Sequence, residues 1–144
     1  MRSLLMVPAA LALACGPAAS MALETKAAVP NAVSLPLVRT AKTASGQPLR
    51  LPQGSSEMVA TAVDIPSGGS TAIHQHPWSR FVYVERGPLR VVNQATGQTQ
   101  DFVTGQVFPE VVAQWHIGQA PGAQGARLIL IDLVPPGITN MKMR

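Results

Sequence analysis

Thr71-Ala72-Ile73-His74-Gln75-His76-Pro77-Trp78-Ser79-Arg80-Phe81-Val82-Tyr83-Val84-Glu85-Arg86-Gly87 is two short extended runs parted by a Pro-Trp-Ser break. Successive side chains on a strand point to opposite faces, so His74 and His76 project from the same face. After the break the same alternation places Arg80, Val82 and Val84 on one face, with Tyr83 and Glu85 on the other. Gly87-Pro88 then ends the run as a turn. Two imidazoles on one face of a strand suit a shared metal ion. They equally suit a hydrogen-bonded structural pair.

The same punctuation continues on both sides. Residues 58–65 are rich in β-branched side chains, with Val59, Thr61, Val63 and Ile65 on one face, and Pro66-Ser67-Gly68-Gly69 follows as a turn. Further runs at 89–93, 99–103, 105–109, 115–117 and 126–134 are separated by Gly, Pro, Asn or Thr clusters. The last is nearly continuous apolar sequence, as in a buried strand. Turn signals about every 8–12 residues with no long helical pattern predict an all-β sandwich or barrel. The 12 Gly and 13 Pro residues among 144 disfavour long helices, and 47% apolar against 12% charged residues excludes disorder and supports one core. The net charge is +4, but the basic residues are scattered singly, so a nucleic-acid surface is not expected.

The chain opens with Met1-Arg2, an apolar stretch over residues 3–15, and the small-residue zone Gly16-Pro17-Ala18-Ala19-Ser20-Met21-Ala22. This is the pattern of an export signal cleaved after Ala22. Pro8, Gly16 and Pro17 interrupt a stretch already short for a membrane anchor, so no span is expected after cleavage. The expected location is the periplasm or the exterior. Cys15, the one cysteine, would leave with the signal, and the mature chain would have no disulfide or thiolate. Ala12-Leu13-Ala14-Cys15 leaves lipidation open. The expected organisation is a signal over 1–22, an N-terminal extension with edge strands over 23–56, a barrel over 57–134, and a C-terminal tail over 135–144.

The spacing Gly68, five residues, His74-Gln75-His76, three residues, Arg80, six residues, Gly87 resembles the first motif of the cupin superfamily, G-x5-H-x-H-x3-E-x6-G. Arg80 stands where that family has a metal-binding Glu. After seventeen further residues, Gly105 begins a stretch similar to the second motif, G-x5-P-x-G-x2-H-x3-N. Gly105 and His116 fit it, whereas Val111, Ala113 and Ala120 replace its Pro, Gly and Asn. All three histidines of the chain thus fall on the family's ligand positions. Phe81-Val82-Tyr83-Val84-Glu85-Arg86-Gly87 and Phe108-Pro109-Glu110-Val111-Val112-Ala113-Gln114-Trp115-His116 resemble small secreted single-domain cupins, in which the first-motif Glu is often absent and a Glu precedes the second-motif turn. Here that residue is Glu110.

The resemblance implies a jelly-roll barrel holding one divalent transition metal on His74, His76 and His116. Fe, Mn, Zn, Ni and Cu all suit such a donor set. Glu110 is a candidate fourth ligand, general base or partner of Arg80. Arg80, inward by parity with the missing Glu, would clamp a substrate carboxylate, form an ion pair with Glu110, or snorkel out through the barrel mouth. Trp78 and Trp115 are candidates for mouth packing or a stacking rim. Two readings of function stay open. One is an exported mononuclear metal cupin acting on a small molecule by oxygenation or isomerisation, with Glu110 and Arg80 in the catalytic site. The other is a non-catalytic module binding a small anion, with metal absent or structural. The expected partner is a small molecule, a carboxylate among the candidates, and a homodimer is compatible with either reading.

Overall fold

Alternating apolar positions decide where the strands lie. A computed structural model describes residues 31–144, and the expected export signal over 1–22 lies outside the described residues. The strands are β1 (Glu57–Ile65), β2 (His74–Gln75), β3 (Arg80–Arg86), β4 (Leu89–Asn93), β5 (Thr99–Phe102), β6 (Val107–Pro109), β7 (His116–Gln119), β8 (Ala126–Val134) and β9 (Lys142–Met143). No helix occurs among the described residues. Two antiparallel sheets, ordered β1-β8-β3-β6 and β5-β4-β7-β2-β9, form the expected all-β jelly roll within the compact unit Ser34–Arg144.

The core fills one end of the barrel. Ile65, Val82, Val84, Leu89, Val91, Phe108, Ala120, Ala126, Leu128 and Leu130 form its buried cluster, drawn from both sheets. Phe102 and Phe108 stack with ring centroids 3.5 Å apart beneath it. Burial alternates strictly along β8 and over Arg80–Val84 of β3, so each strand runs a line of inward side chains from core to polar end. On β8 that line is Ala126, Leu128, Leu130, Asp132, Val134. On β3 it is Val84, Val82, Arg80. Register places Arg80 opposite Asp132, so the one basic and the one acidic inward residue of these strands meet at the same level.

Three details differ from the sequence expectations. The run at 71–76 is regularly paired only over His74-Gln75, although Ser70 bridges Gln119 and Thr71 N–H donates to the Gly118 carbonyl at 2.8 Å. Pro77 follows immediately and has no N–H for the ladder. The β1 face carrying Val59, Thr61, Val63 and Ile65 is covered only at its Ile65 end; Val59 is 39% exposed. β1 is an edge strand, and its first half borders a chamber rather than the core. Finally, residues 135–144 return to the barrel, where β9 pairs with β2 through His74–Met143 and Gln75–Lys142.

The segment before β1 straps the polar end. Ala44 N–H donates to the Pro109 carbonyl at 2.9 Å, and Ser79 and Arg50 exchange two hydrogen bonds of 2.7 and 2.9 Å. The Gln47 side-chain amide imitates a strand: its Nε2 donates to the Val112 carbonyl and its Oε1 accepts from Val112 N–H. Gln47→Ala strands both Val112 groups, which are buried, and each stranded group costs about 1–3 kcal/mol. The variant is expected to lose several degrees of Tm in a thermal melt, and an unchanged Tm would show that the strap carries no stability.

Candidate metal centre

Each of the three imidazoles has one nitrogen already committed. His74 Nδ1 lies 2.8 Å from the Ala72 carbonyl, His116 Nδ1 2.8 Å from the Gln114 carbonyl, and His76 Nδ1 2.6 Å from the Asn140 carbonyl. A carbonyl oxygen only accepts, so every Nδ1 carries the proton and every neutral ring presents an Nε2 lone pair. β2 and β7 pair with His74 directly opposite His116, and His76 follows two residues later on the same face. The ring centroids are 4.5–5.1 Å apart.

Glu110 completes the group. Its N–H donates to the Arg80 carbonyl at 2.8 Å, which holds it just past the end of β6. Its Oε2 lies 3.0 Å from His76 Nε2 and its Oε1 3.7 Å from His116 Nε2. The alignment at 3.0 Å is not that of a hydrogen bond, and His76 Nε2, His116 Nε2 and Glu110 Oε2 are buried without a hydrogen-bond partner. Four donor atoms, one from each of His74, His76, Glu110 and His116, lie within 4.8 Å of one another, and all four residues are buried. Buried lone pairs aimed at a common point are unfavourable unless a cation occupies it. This set can hold a metal, with the Nδ1–H bonds fixing ring orientation as metal-ligand histidines require.

The turn between Glu110 and His116 carries Ala113 at the position of the motif's Gly. That residue has φ 55°, in the left-handed region, which costs a non-glycine residue about 1–2 kcal/mol. Its N–H donates to the His76 carbonyl at 2.8 Å, so the turn is tied to the strand carrying the first two histidines. Val111 and Ala120 are both buried.

Arg80 does not pair with Glu110. Its Nε and Nη2 donate to the two carboxylate oxygens of Asp132 at 2.9 and 2.7 Å, a bidentate contact with both side chains buried. Glu110 is turned to the histidines, whereas Asp132 stands directly across the ladder from Arg80. Asn140 joins the pair. Its Nδ2 donates to Asp132 Oδ1 at 2.6 Å, its Oδ1 accepts from Trp78 N–H, and its carbonyl is the one that orients His76. Sequence reasoning passed over both residues. Asp132 carried a signal, since a lone carboxylate in an apolar buried run needs a partner. Asn140 carried none. The tryptophans do not form a rim: neither lines the chambers beside the site, and Trp78 lies under the Arg50 guanidinium, 5.4 Å from its ring centroid.

A cavity of about 150 Å³ opens on His74, Glu110 and Arg80, with apolar walls that include Val63, Leu89, Leu128, Leu130, Met141 and Met143. Electrostatics of the metal-free group are set by its own members. Burial alone would push the Glu110 carboxyl up, but the facing His116 and His76 hold it well below the usual carboxylate range. Burial pushes His116 down, and contact with Glu110 outweighs it and raises its pKa above the ordinary value. His74 is lowered, chiefly by burial.

No family model matches the sequence, and no curated protein matches it. Solved structures do. A protein with a double-stranded β-helix domain from Klebsiella pneumoniae is similar at TM-score 0.51 and 18% identity, over 74% of this chain and 84% of that one. The fold is the cupin fold. An oxalate decarboxylase from Lactobacillus farciminis is similar at TM-score 0.50 and 26% identity over 60% of this chain, and the polyketide cyclase RemF from Streptomyces resistomycificus at TM-score 0.49 and 24% identity, again over 60%. This chain spans only 26% of that decarboxylase and 62% of that cyclase. Against the cupin motif, Glu110 puts a carboxylate beside the three histidines in a chain whose first-motif Glu position is occupied by Arg80.

Metal must displace a proton from the group, and His116 is the member whose pKa is raised. Metal affinity is therefore expected to rise with pH through the raised His116 value and level off above it, with proton release on binding. Glu110 stays ionised far into acid, so loss of metal on acidification follows the histidines. In Glu110→Gln the influence that raises His116 is gone and the midpoint should move down. Calorimetric metal titration from about pH 5.5 to about pH 8.5, spanning the imidazole range, measures both; an affinity independent of pH would show that the histidines are not the ligands.

Proposed function

We propose that this chain is an exported mononuclear metal cupin, with one divalent transition metal held by His74, His76, His116 and Glu110, acting on a small anionic organic molecule by metal-assisted oxygenation or isomerisation. The observation that carries this reading is the buried, partnerless His76 Nε2, His116 Nε2 and Glu110 Oε2 within a four-residue group whose donor atoms, His74 included, lie within 4.8 Å of one another. Export rests on the sequence pattern of residues 1–22.

Charge supports an anionic ligand. Three neutral imidazoles and one carboxylate leave a divalent ion with one uncompensated positive charge, and the Arg80–Asp132 pair adds none. A ligand contributing one negative charge balances the centre, which otherwise stays charged in a largely apolar surround. A metal with open positions supplies Lewis acidity to whatever oxygen reaches it. The protein's own residues exclude water with the apolar wall and hold the donors rigid through their main-chain bonds.

One observation favours the non-catalytic alternative. Apart from the proposed ligands, the only titratable side chains lining the chambers among the described residues are Arg80 and Asp132, and each is committed to the other. A general acid or base independent of the metal is not supplied by this wall, so chemistry would have to come from the metal itself or be absent.

Elemental analysis of protein recovered from its native compartment is expected to find about one transition metal per chain. Replacing all three histidines by Ala should abolish it, and Glu110→Gln should weaken metal binding roughly 10- to 100-fold. Full occupancy in the triple variant overturns the proposal. Unchanged affinity in Glu110→Gln removes Glu110 from the ligand set.

A further inference from the structure

The cavity over the candidate centre has a neighbour on the Arg80 side. A second chamber of about 270 Å³ adjoins it, lined by Val59, Thr61 and Val63 of β1, by Leu130, Asp132 and Val134 of β8, and by residues 138–141 of the tail. Val63, Arg80, Leu130 and Met141 line both chambers, so the two meet at these side chains. Small-molecule sites commonly occupy about 300–1,000 Å³; neither chamber alone reaches that range, whereas the two joined do.

The second chamber explains a feature of β1 that core packing does not. Val59, Thr61 and Val63 form an inward β-branched face, yet among the described residues the first two are exposed. Ile138 on the opposite wall is also half exposed. Of the polar groups lining it, Arg80 and Asn140 both bond to Asp132, and Thr61 and Thr139 add hydroxyls. The charges of Arg80 and Asp132 cancel and no other charged group lines the chamber, so it offers no net charge to a second ionic group, and its apolar walls suit an apolar body.

We propose that the ligand is a monoanion with an extended apolar body: the anionic head lies at the His74–Glu110 end, and the body runs past Arg80 and Asp132 into the chamber between β1 and residues 138–141. This rests on the metal-site reading above and specifies the ligand of that site. Short dianions, which would leave the second chamber empty and overcompensate the centre, are disfavoured.

The test uses a series of linear carboxylates from acetate to octanoate, titrated into metal-loaded protein. Each methylene buried should tighten binding about fourfold until the chamber is filled. Thr61→Trp and Ile138→Trp each place a large side chain in the second chamber at a partly exposed position, away from the metal donors. Acetate affinity and metal occupancy should be unchanged in both, while the gain with chain length should be lost. Acetate binding without any length dependence overturns the extended-body proposal and leaves the metal site standing, as does a length gain that survives in both variants. Failure of wild-type protein to take up metal overturns the proposed function, and this inference with it.

Discussion

Three imidazoles whose Nδ1–H groups donate to main-chain carbonyls have only Nε2 lone pairs left to offer, and those of His76 and His116 face the Glu110 carboxylate with the His74 ring beside them. Everything at the polar end follows from that constraint. Lone pair facing lone pair in a buried site is tolerable only if a cation or a proton stands between them. A proton can serve one pair, as the raised His116 shows, but not three rings at once. The carbonyls that impose this state come from residues 72, 114 and 140, on three separate stretches of chain. The site is therefore specified by the whole fold, not by the histidine motif alone.

The Arg80–Asp132 pair is the second constraint. An arginine in place of an acidic ligand would set a positive charge beside a cation-binding group, which a barrel could not hold unpaired. Antiparallel register solves this by putting a carboxylate directly across the ladder, where Nε and Nη2 of the planar guanidinium bond both of its oxygens. Asn140 then links this pair to His76, so the C-terminal segment is tied to both. The carboxylate that faces the histidines stands just past the end of β6, and the β3 position of the motif's Glu holds the Arg80–Asp132 pair, which is neutral as a whole.

Much of this was legible in the sequence, for identifiable reasons. Strand alternation predicted that Arg80, Val82 and Val84 share an inward face, because a period of two admits no other arrangement once one face is buried. The histidine spacing pointed to the donor set, because three such residues in a whole chain seldom fall on one motif by accident. The partner of Arg80 was not legible. Choosing between Glu110 and Asp132 requires knowing which strand lies beside β3, and sheet order is a tertiary fact. Asn140 was further out of reach, since its contribution to His76 is a backbone carbonyl that any residue type would supply. The half-covered β1 has a simple origin: alternation says which face is inward but not whether anything fills the space there.

That last distinction bears on how a barrel this small keeps a cavity. The core cluster occupies the end where Ile65, Val84, Leu89 and Ala126 meet, and it closes fully there. At the other end the sheets are held apart by groups that cannot collapse: a bonded ion pair, four converging donors, and a turn tethered from one side by Gln47 and from the other by His76. Polar contacts have fixed lengths and directions, unlike apolar packing, which contracts to fill a void. Irregular segments do this bracing, residues 40–50 on one flank and 138–143 on the other, so the regular strands are free to supply uninterrupted apolar walls. The open volume beside the candidate centre is thus a consequence of the polar framework around it, which is the condition a preformed ligand site needs.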